Sequence, residues 1–127
     1  MIQVTHIKSA FTDKRGIITH LMDVTGEITS VLFITSKRGA IRANHYHKKD
    51  IHHVYLISGE FEYSEKKVKG KDLIETVTIK PGDLVKTNPM TIHAMKFTKI
   101  SSMIVLTTES RNQDHYEKDT VRIELVP

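Results

Sequence analysis

Residues 42–53 read RANHYHKKDIHH, which sets His45, His47, His52 and His53 within nine positions of a chain that has 8 histidines in all. Imidazole titrates near neutral pH and ligates transition metals through either ring nitrogen, so such a cluster can move protons or hold a cation. His45 and His47 are two apart. On a strand both side chains leave the same face, where two imidazoles can hold one metal ion or flank one substrate. KKDI (48–51) reads as a tight turn into the next strand. Strand parity then sets His52, Val54 and Leu56 on one face and His53, Tyr55 and Ile57 on the other, so at most one of His52 and His53 can join the pair. Far downstream, His93 follows TNPMTI, a turn leading into another strand.

Strand signals dominate the elements that must position these residues. ITSVLFITS (28–36) is β-branched and aromatic, and HHVYLISGEFEY (52–63) alternates around a central glycine. LIETVTIK (73–80) and VRIELVP (121–127) alternate apolar with polar at period two. SSMIVLTTES (101–110) is a short apolar run of the kind a central strand shows, and GIITHLMD (16–23) is a further candidate. TDKRG, TGE, SKRG, KVKGKD, PGD and TNPM punctuate these runs as turns. Only RNQDHYEK (111–118) allows a helical turn or two. Short strands at regular spacing with frequent turns predict an all-β sandwich or barrel in a single domain spanning 1–127.

A chain of 127 residues can bury a real core without staples. With no cysteine there are no disulfides, thiolate zinc sites or thiol nucleophiles. The N-terminal stretch lacks the apolar region of a signal peptide, and no stretch nears the ~20 apolar residues needed to span a bilayer. The expected setting is cytoplasmic, with no membrane partner. The balance of 19 basic to 15 acidic residues leaves +4. Much of that excess lies in SEKKVKGKD (64–72), read as a solvated hairpin tip. Positive charge is neither spread over a face nor interleaved with aromatics, so no nucleic-acid partner is expected. A mildly positive surface suits a small anionic substrate.

The histidine spacing resembles the two motifs of the cupin superfamily. The first runs Gly39, AIRAN, His45-Tyr46-His47, KKDI, His52, HVYLIS, Gly59, with His52 where that motif carries Glu. The second begins at Gly82 and ends at His93, eleven positions on. Pro89 falls one place late, and Thr91 stands where Gly is usual. A narrower resemblance covers almost the whole chain. FTDKRGIITHL (11–21), VLFITSKRGAIRANHYHKK (31–49) and IHAMKFTKISSMIVLTTESRNQDHYEKD (92–119) are similar to stretches of the dTDP-4-keto-6-deoxyhexose 3,4-ketoisomerases and sugar-nucleotide epimerase-type cupins. Ala43, Tyr46, His52 and Ile92 depart from the ketoisomerase pattern around the pocket.

The resemblance implies a jelly-roll cupin β-barrel and an isomerase of nucleotide-sugar and polysaccharide biosynthesis. It would act on a 4-keto-6-deoxyhexose nucleotide by proton transfer next to a carbonyl. In this reading His45 and His47 carry the acid and base roles, Arg42 contacts the pyrophosphate or the developing enediolate, and no cofactor is required. A second reading takes His45, His47, His52 and His93 as the four ligand slots of the metal-binding cupins. Zinc, iron, nickel, copper or manganese would then serve an epimerase or an oxygenase. A third is a small-molecule-binding module. Strand exchange or edge pairing in a homodimer would cover the edges of so small a jelly roll. His53 is expected on the outer face, exposed or in a dimer contact, and His6, His20 and His115 at the surface. Tyr55 and Tyr63 are expected in core or interface, Met90, Met95 and Met103 in the core, and Gly39, Gly59 and Gly82 at turns.

Overall fold

The computed structural model describes residues 2–23, 27–71 and 73–127. Its strands are β1 (Gln3–His6), β2 (Phe11–Asp13), β3 (Gly16–Ile18), β4 (Ser30–Ser36), β5 (Ile41–His47), β6 (His52–Lys67), β7 (Glu75–Ile79), β8 (Asp83–Thr87), β9 (Thr91–Thr107) and β10 (Thr120–Arg122), with one helix, α1 (Gln113–Asp119). All pairings are antiparallel, and the eight strands outside the β2–β3 hairpin form one sheet. This is the all-β single domain that the turn-punctuated strand pattern predicts, and the jelly-roll barrel that the resemblance implies.

Two long strands carry the barrel. β6 and β9 pair with each other from His52↔Thr107 to Lys67↔Thr91. Along its first half β6 also holds β8, and along its second half β7. In the same way β9 holds β5 through His93 to Lys96 and β4 through Ser101 to Thr107. Each long strand therefore serves two neighbourhoods, and the join is a corner. There the β6–β9 register shifts between Leu56 and Phe61, and Gly59 takes φ 95°. Irregularities of this kind bend a strand and raise its twist.

Alternation on β6 sends His52, Val54 and Leu56 inward, while His53 and Tyr55 stay half-buried on the outer side, as parity predicts. The interior fills with Val54, Leu56, Phe61, Tyr63, Ile79, Val85, Met95, Phe97, Met103 and Val105. The Phe61 and Phe97 rings lie 5.1 Å apart. Each fully buried side chain of this size contributes about 1.5–3 kcal/mol.

Several sequence expectations change. SSMIVLTTES does not stand alone, because it is the second half of β9, continuous with the segment that carries His93. VRIELVP yields only Thr120–Arg122 as strand, since the Asn44 side chain takes up the backbone beyond it. Asn44 Oδ1 accepts from the amides of Leu125 and Val126, and its Nδ2 donates to Val126 O. GIITHLMD gives only Gly16–Ile18 as strand, and part of the TGE turn lies outside the described residues. Met95 and Met103 are core, but Met90 is 37% exposed in a turn at φ 59°. His6, His20 and His115 are at the surface, facing Asp83, Asp23 and Glu109. Among the described residues no helix is long and apolar enough to cross a membrane.

Candidate active site

β5 reaches the site through a backbone irregularity. Ala43 and Asn44 both take positive φ, 69° and 54°, and the β5–β9 register shifts between Ala43 and His45. Non-glycine residues rarely hold this conformation, and it persists only where surrounding contacts over-determine it. Here the C-terminal tail clamped by Asn44 supplies those contacts. Past the irregularity, His45 and His47 point to the same side, paired with Arg122 and Thr120 of β10.

The four histidines predicted as a set converge. The His45 ring lies 4.5 Å from His47 and 4.8 Å from His93, and His52 lies 4.9 Å from His93 and 5.7 Å from His47, centroid to centroid. Nitrogens of His45, His47 and His93 stand within 4.8 Å of one another. So do ligand atoms of His47, Asp50 and His52, which brings in a carboxylate that the spacing argument passed over. His47, His52 and His93 are each at most 3% exposed.

Hydrogen bonds fix which nitrogen of each ring faces inward. His93 Nδ1 donates to the carbonyl of Thr91 at 3.0 Å. His52 Nδ1 faces the Asp50 carboxylate at 3.3 Å. Thr120 Oγ1 spends its proton on the carbonyl of Tyr116, so its contact of 3.1 Å with His47 Nδ1 has the imidazole as donor. With Nδ1 protonated in all three rings, the Nε2 atoms of His47, His52 and His93 are left as lone pairs. All three are buried without a hydrogen-bond partner. Unpaired buried acceptors are costly, and three in one place mark a site built for a ligand that accepts their electron pairs or offers protons.

Electrostatics keep His45, His47 and His93 neutral. Burial, reinforced by His47, His52 and the cations of Arg111 and Arg122, pushes His45 down to about 3. Burial with His52 and Arg111 lowers His47 to about 4, against the pull of Asp50 and Asp119. Burial lowers fully enclosed His93 well below the ordinary imidazole range. Burial alone would raise Asp50, but the His52 hydrogen bond, the Arg111 charge and the amide of Glu109 hold it at about 2.

A cavity of about 330 Å³ opens over the cluster. His45, His52 and His93 line it together with apolar Leu32, Ile34, Val54, Met95, Met103 and Val105. Arg42 also lines the cavity. Its Nε donates to Ser36 Oγ and one terminal nitrogen to Thr35 O, which holds it at the β4–β5 turn.

Sequence reasoning missed Asp50, Arg111, Tyr116, Asp119 and Thr120 as site residues. Arg111 lines the cavity with its Nε buried and unpartnered. Its guanidinium sits 4.9 Å from the centre of the Tyr116 ring and bonds Asp50 at 3.2 Å. α1, capped by Asn112, presents Tyr116 to the cluster, with ring centres 5.8 Å from His47 and 6.3 Å from His45. The signal that could have found Arg111 and Tyr116 is the RNQDHYEK segment, the one helical stretch of the sequence.

The lone-pair cluster fits a divalent transition ion. Histidine ligands that donate Nδ1–H to a carboxylate, carbonyl or hydroxyl and turn Nε2 inward have the second shell of a metal-binding imidazole. The residues that would hold it are His45, His47, His52 and His93.

A family model described as polysaccharide biosynthesis C-terminal domain matches residues 11–121. Comparison with the curated proteins gives no match. Among solved structures, the chain is similar to the 3,4-ketoisomerase QdtA from Thermoanaerobacterium thermosaccharolyticum in complex with TDP. The TM-score is 0.77 at 23% identity, over 95% of this chain and 87% of that one. It is similar to a dTDP-6-deoxy-D-glucose-3,5-epimerase, RmlC, from Legionella pneumophila in complex with dTDP-4-keto-L-rhamnose, at TM-score 0.79 and 12% identity over 98% and 73%. It is also similar to the TDP-fucose-3,4-ketoisomerase WlaRA from Campylobacter jejuni, at TM-score 0.75 and 19% identity over 94% and 87%. These likenesses establish the cupin fold.

Proposed function

The chain belongs to the polysaccharide biosynthesis C-terminal domain family, and on that footing we propose that it is a sugar-nucleotide 3,4-ketoisomerase or epimerase acting on a nucleotide-linked 4-keto-6-deoxyhexose. The observation that carries this reading is the set of imidazoles at the floor of the cavity, with the Nε2 atoms of His47, His52 and His93 turned inward and unpartnered and with burial holding His45, His47 and His93 in the neutral form. A neutral imidazole takes a proton from the carbon beside a carbonyl and returns it to the neighbouring carbon of the enediol or to the opposite face. His45 meets the sugar in the cavity, and His47 stands against it, backed by Thr120 and, at 3.7 Å, by Asp119. Arg42 and Arg111 on the cavity wall suit the pyrophosphate and the charge that develops on the enediolate. The epimerase structure above is named with a ligand of this class, dTDP-4-keto-L-rhamnose, and the ketoisomerase structure with the nucleotide part alone, TDP.

The test is solvent exchange. Incubated in deuterated water with dTDP-4-keto-6-deoxyglucose, the wild-type protein incorporates deuterium beside the carbonyl, and His45→Asn and His47→Asn slow this by about 10²–10⁴-fold. Wild-type exchange in both variants, or none with any nucleotide-linked 4-ketohexose, overturns the reading.

A second reading rests on the same lone pairs. His45, His47, His52 and His93 would hold a divalent transition ion, which would supply Lewis-acid polarisation of a carbonyl oxygen. Stoichiometric metal in the purified protein, with chelator-sensitive exchange, separates this from the metal-free form.

The proposal includes a cytoplasmic setting and a homodimer. Val31, Leu106 and His53 lie in register across β4, β9 and β6, as do Phe33, Ile104 and Tyr55. They form an apolar outer face, with Phe33 67% exposed, bordered by β4, which pairs only with β9 among the described residues. A second copy covers that face.

A further inference from the structure

A second cavity, of about 630 Å³, lies where the ends of β1, β6 and β8 meet the 88–90 turn. Lys67, Lys69 and Lys86 line it with the polar side chains of Gln3 and Asn88 and a single carboxylate, Glu65. No residue that lines it lines the histidine cavity. The run read from sequence as a solvated hairpin tip thus contributes two of its lysines to a concave surface.

Charge in this cavity is unbalanced. None of the three lysines forms an ion pair or a side-chain hydrogen bond among the described residues. The one carboxylate is shared and outnumbered. Glu65 accepts the Tyr63 hydroxyl at 2.9 Å; burial raises its pKa, while the Tyr63 bond and the charge of Lys67 act the other way. Three unpaired ammonium groups around a hollow concentrate positive potential there. Lysine is a compact point charge that serves phosphate well, whereas planar carboxylate recognition favours arginine. The volume exceeds the need of one inorganic ion and falls in the range of small-molecule sites.

We propose that this cavity is a second ligand site, taking a phosphate-bearing small molecule of the nucleoside diphosphate class through Lys67, Lys69 and Lys86. The site is wired to the first. Met90, on its wall at φ 59°, donates its amide to the carbonyl of His47 at 2.8 Å and accepts from the amide of Val68, between the two hairpin lysines, at 3.1 Å. An occupant that draws Lys67 and Lys69 together acts on the same turn that holds the His47 backbone.

Inorganic pyrophosphate, titrated calorimetrically into the full chain, is the probe. The expected result is binding that weakens roughly tenfold or more in Lys67→Gln/Lys69→Gln/Lys86→Gln, with an unchanged melting curve, and that persists in Arg42→Gln/Arg111→Gln. Each single lysine variant weakens it in part, which keeps the test open if the triple variant fails to fold. Wild-type affinity in the lysine variants, loss of all binding in the arginine variant, or no binding to the wild type at millimolar pyrophosphate overturns the proposal.

Discussion

The Asp50 carboxylate, fully shielded from solvent, stands 3.3 Å from His52 Nδ1 and so sets the nitrogen that this ring turns to the cavity. The same carboxylate accepts the amides of Thr108 and Glu109, each at 3.1 Å, and the Arg111 guanidinium at 3.2 Å. It joins the turn before β6 to the segment after β9, and both to the histidine cluster. Asp50→Asn keeps the shape, removes the charge and leaves Arg111 buried beside an amide. Breaking a buried pair in this way costs about 3–5 kcal/mol, and losing a second-shell carboxylate lowers metal affinity about 10–100-fold. Denaturant unfolding and a zinc titration measure the two effects. An Asn variant equal to wild type in both removes Asp50 from this role.

The depressed histidines make the metal-free protein acid-labile. A group whose folded pKa lies below its unfolded value binds its proton more readily when unfolded. Its stabilisation is complete above the unfolded value of 6.5 and is lost as pH falls toward about 4 for His47 and about 3 for His45. The melting temperature of chelator-treated protein is expected to fall across that window. Asp50 has the same sign but acts lower, between 3.8 and about 2. In His45→Asn/His47→Asn the slope between pH 6.5 and about 4 flattens. A melting temperature constant over that interval in the wild type contradicts the buried, neutral cluster.

What the sequence disclosed follows the range of the forces involved. The His45–His47 face and the His52/His53 split were legible because strand parity is local and has period two. The helix at 113–119 falls almost wholly within 111–118, the one stretch that allows a helical turn, and helix formation over so few residues is likewise local. Asp50 was not, since its amide partner to Asp119 and its contact with Arg111 span 69 and 61 residues of chain, and KKDI by itself reads only as a turn. β9 was divided in two because polar Lys99, Ser101 and Ser102 interrupt its apolar pattern. In the barrel they sit at the corner, where Ser101 Oγ accepts the amide of Glu60. VRIELVP alternates like a strand, but a side chain 81 residues away decides its conformation.

That corner gives a sharp test. Gly59 sits at φ 95°, and a Cβ there would run into Ser101 Oγ and Ile100 O and stand 2.6 Å from Ser101 Cα. Gly39, at φ 87°, has nothing within 4 Å of the same position. Gly39→Ala therefore carries only the backbone cost, about 1 kcal/mol, whereas Gly59→Ala adds collision with β9 and exceeds about 3 kcal/mol. Urea unfolding of the two variants separates them. Equal costs would mean that the β6–β9 corner is not closed by this contact.

The apolar outer face supplies the last prediction. Val31 and Phe33 alternate outward along β4 while Leu32 and Ile34 line the histidine cavity. At 65% and 67% exposure the two outward side chains leave a large apolar surface in water in a lone copy. With Leu106 and Ile104 beside them in register, and His53 and Tyr55 beyond, they make a continuous apolar row pair, and such a patch is an interaction surface. Phe33→Glu puts a charge at its centre while its neighbours Leu32 and Ile34 keep their inward contacts. Sedimentation equilibrium is expected to show a wild-type dimer at micromolar concentration and a folded Phe33→Glu monomer. A wild-type monomer, or a variant that dimerises as tightly as the parent, moves the interface elsewhere.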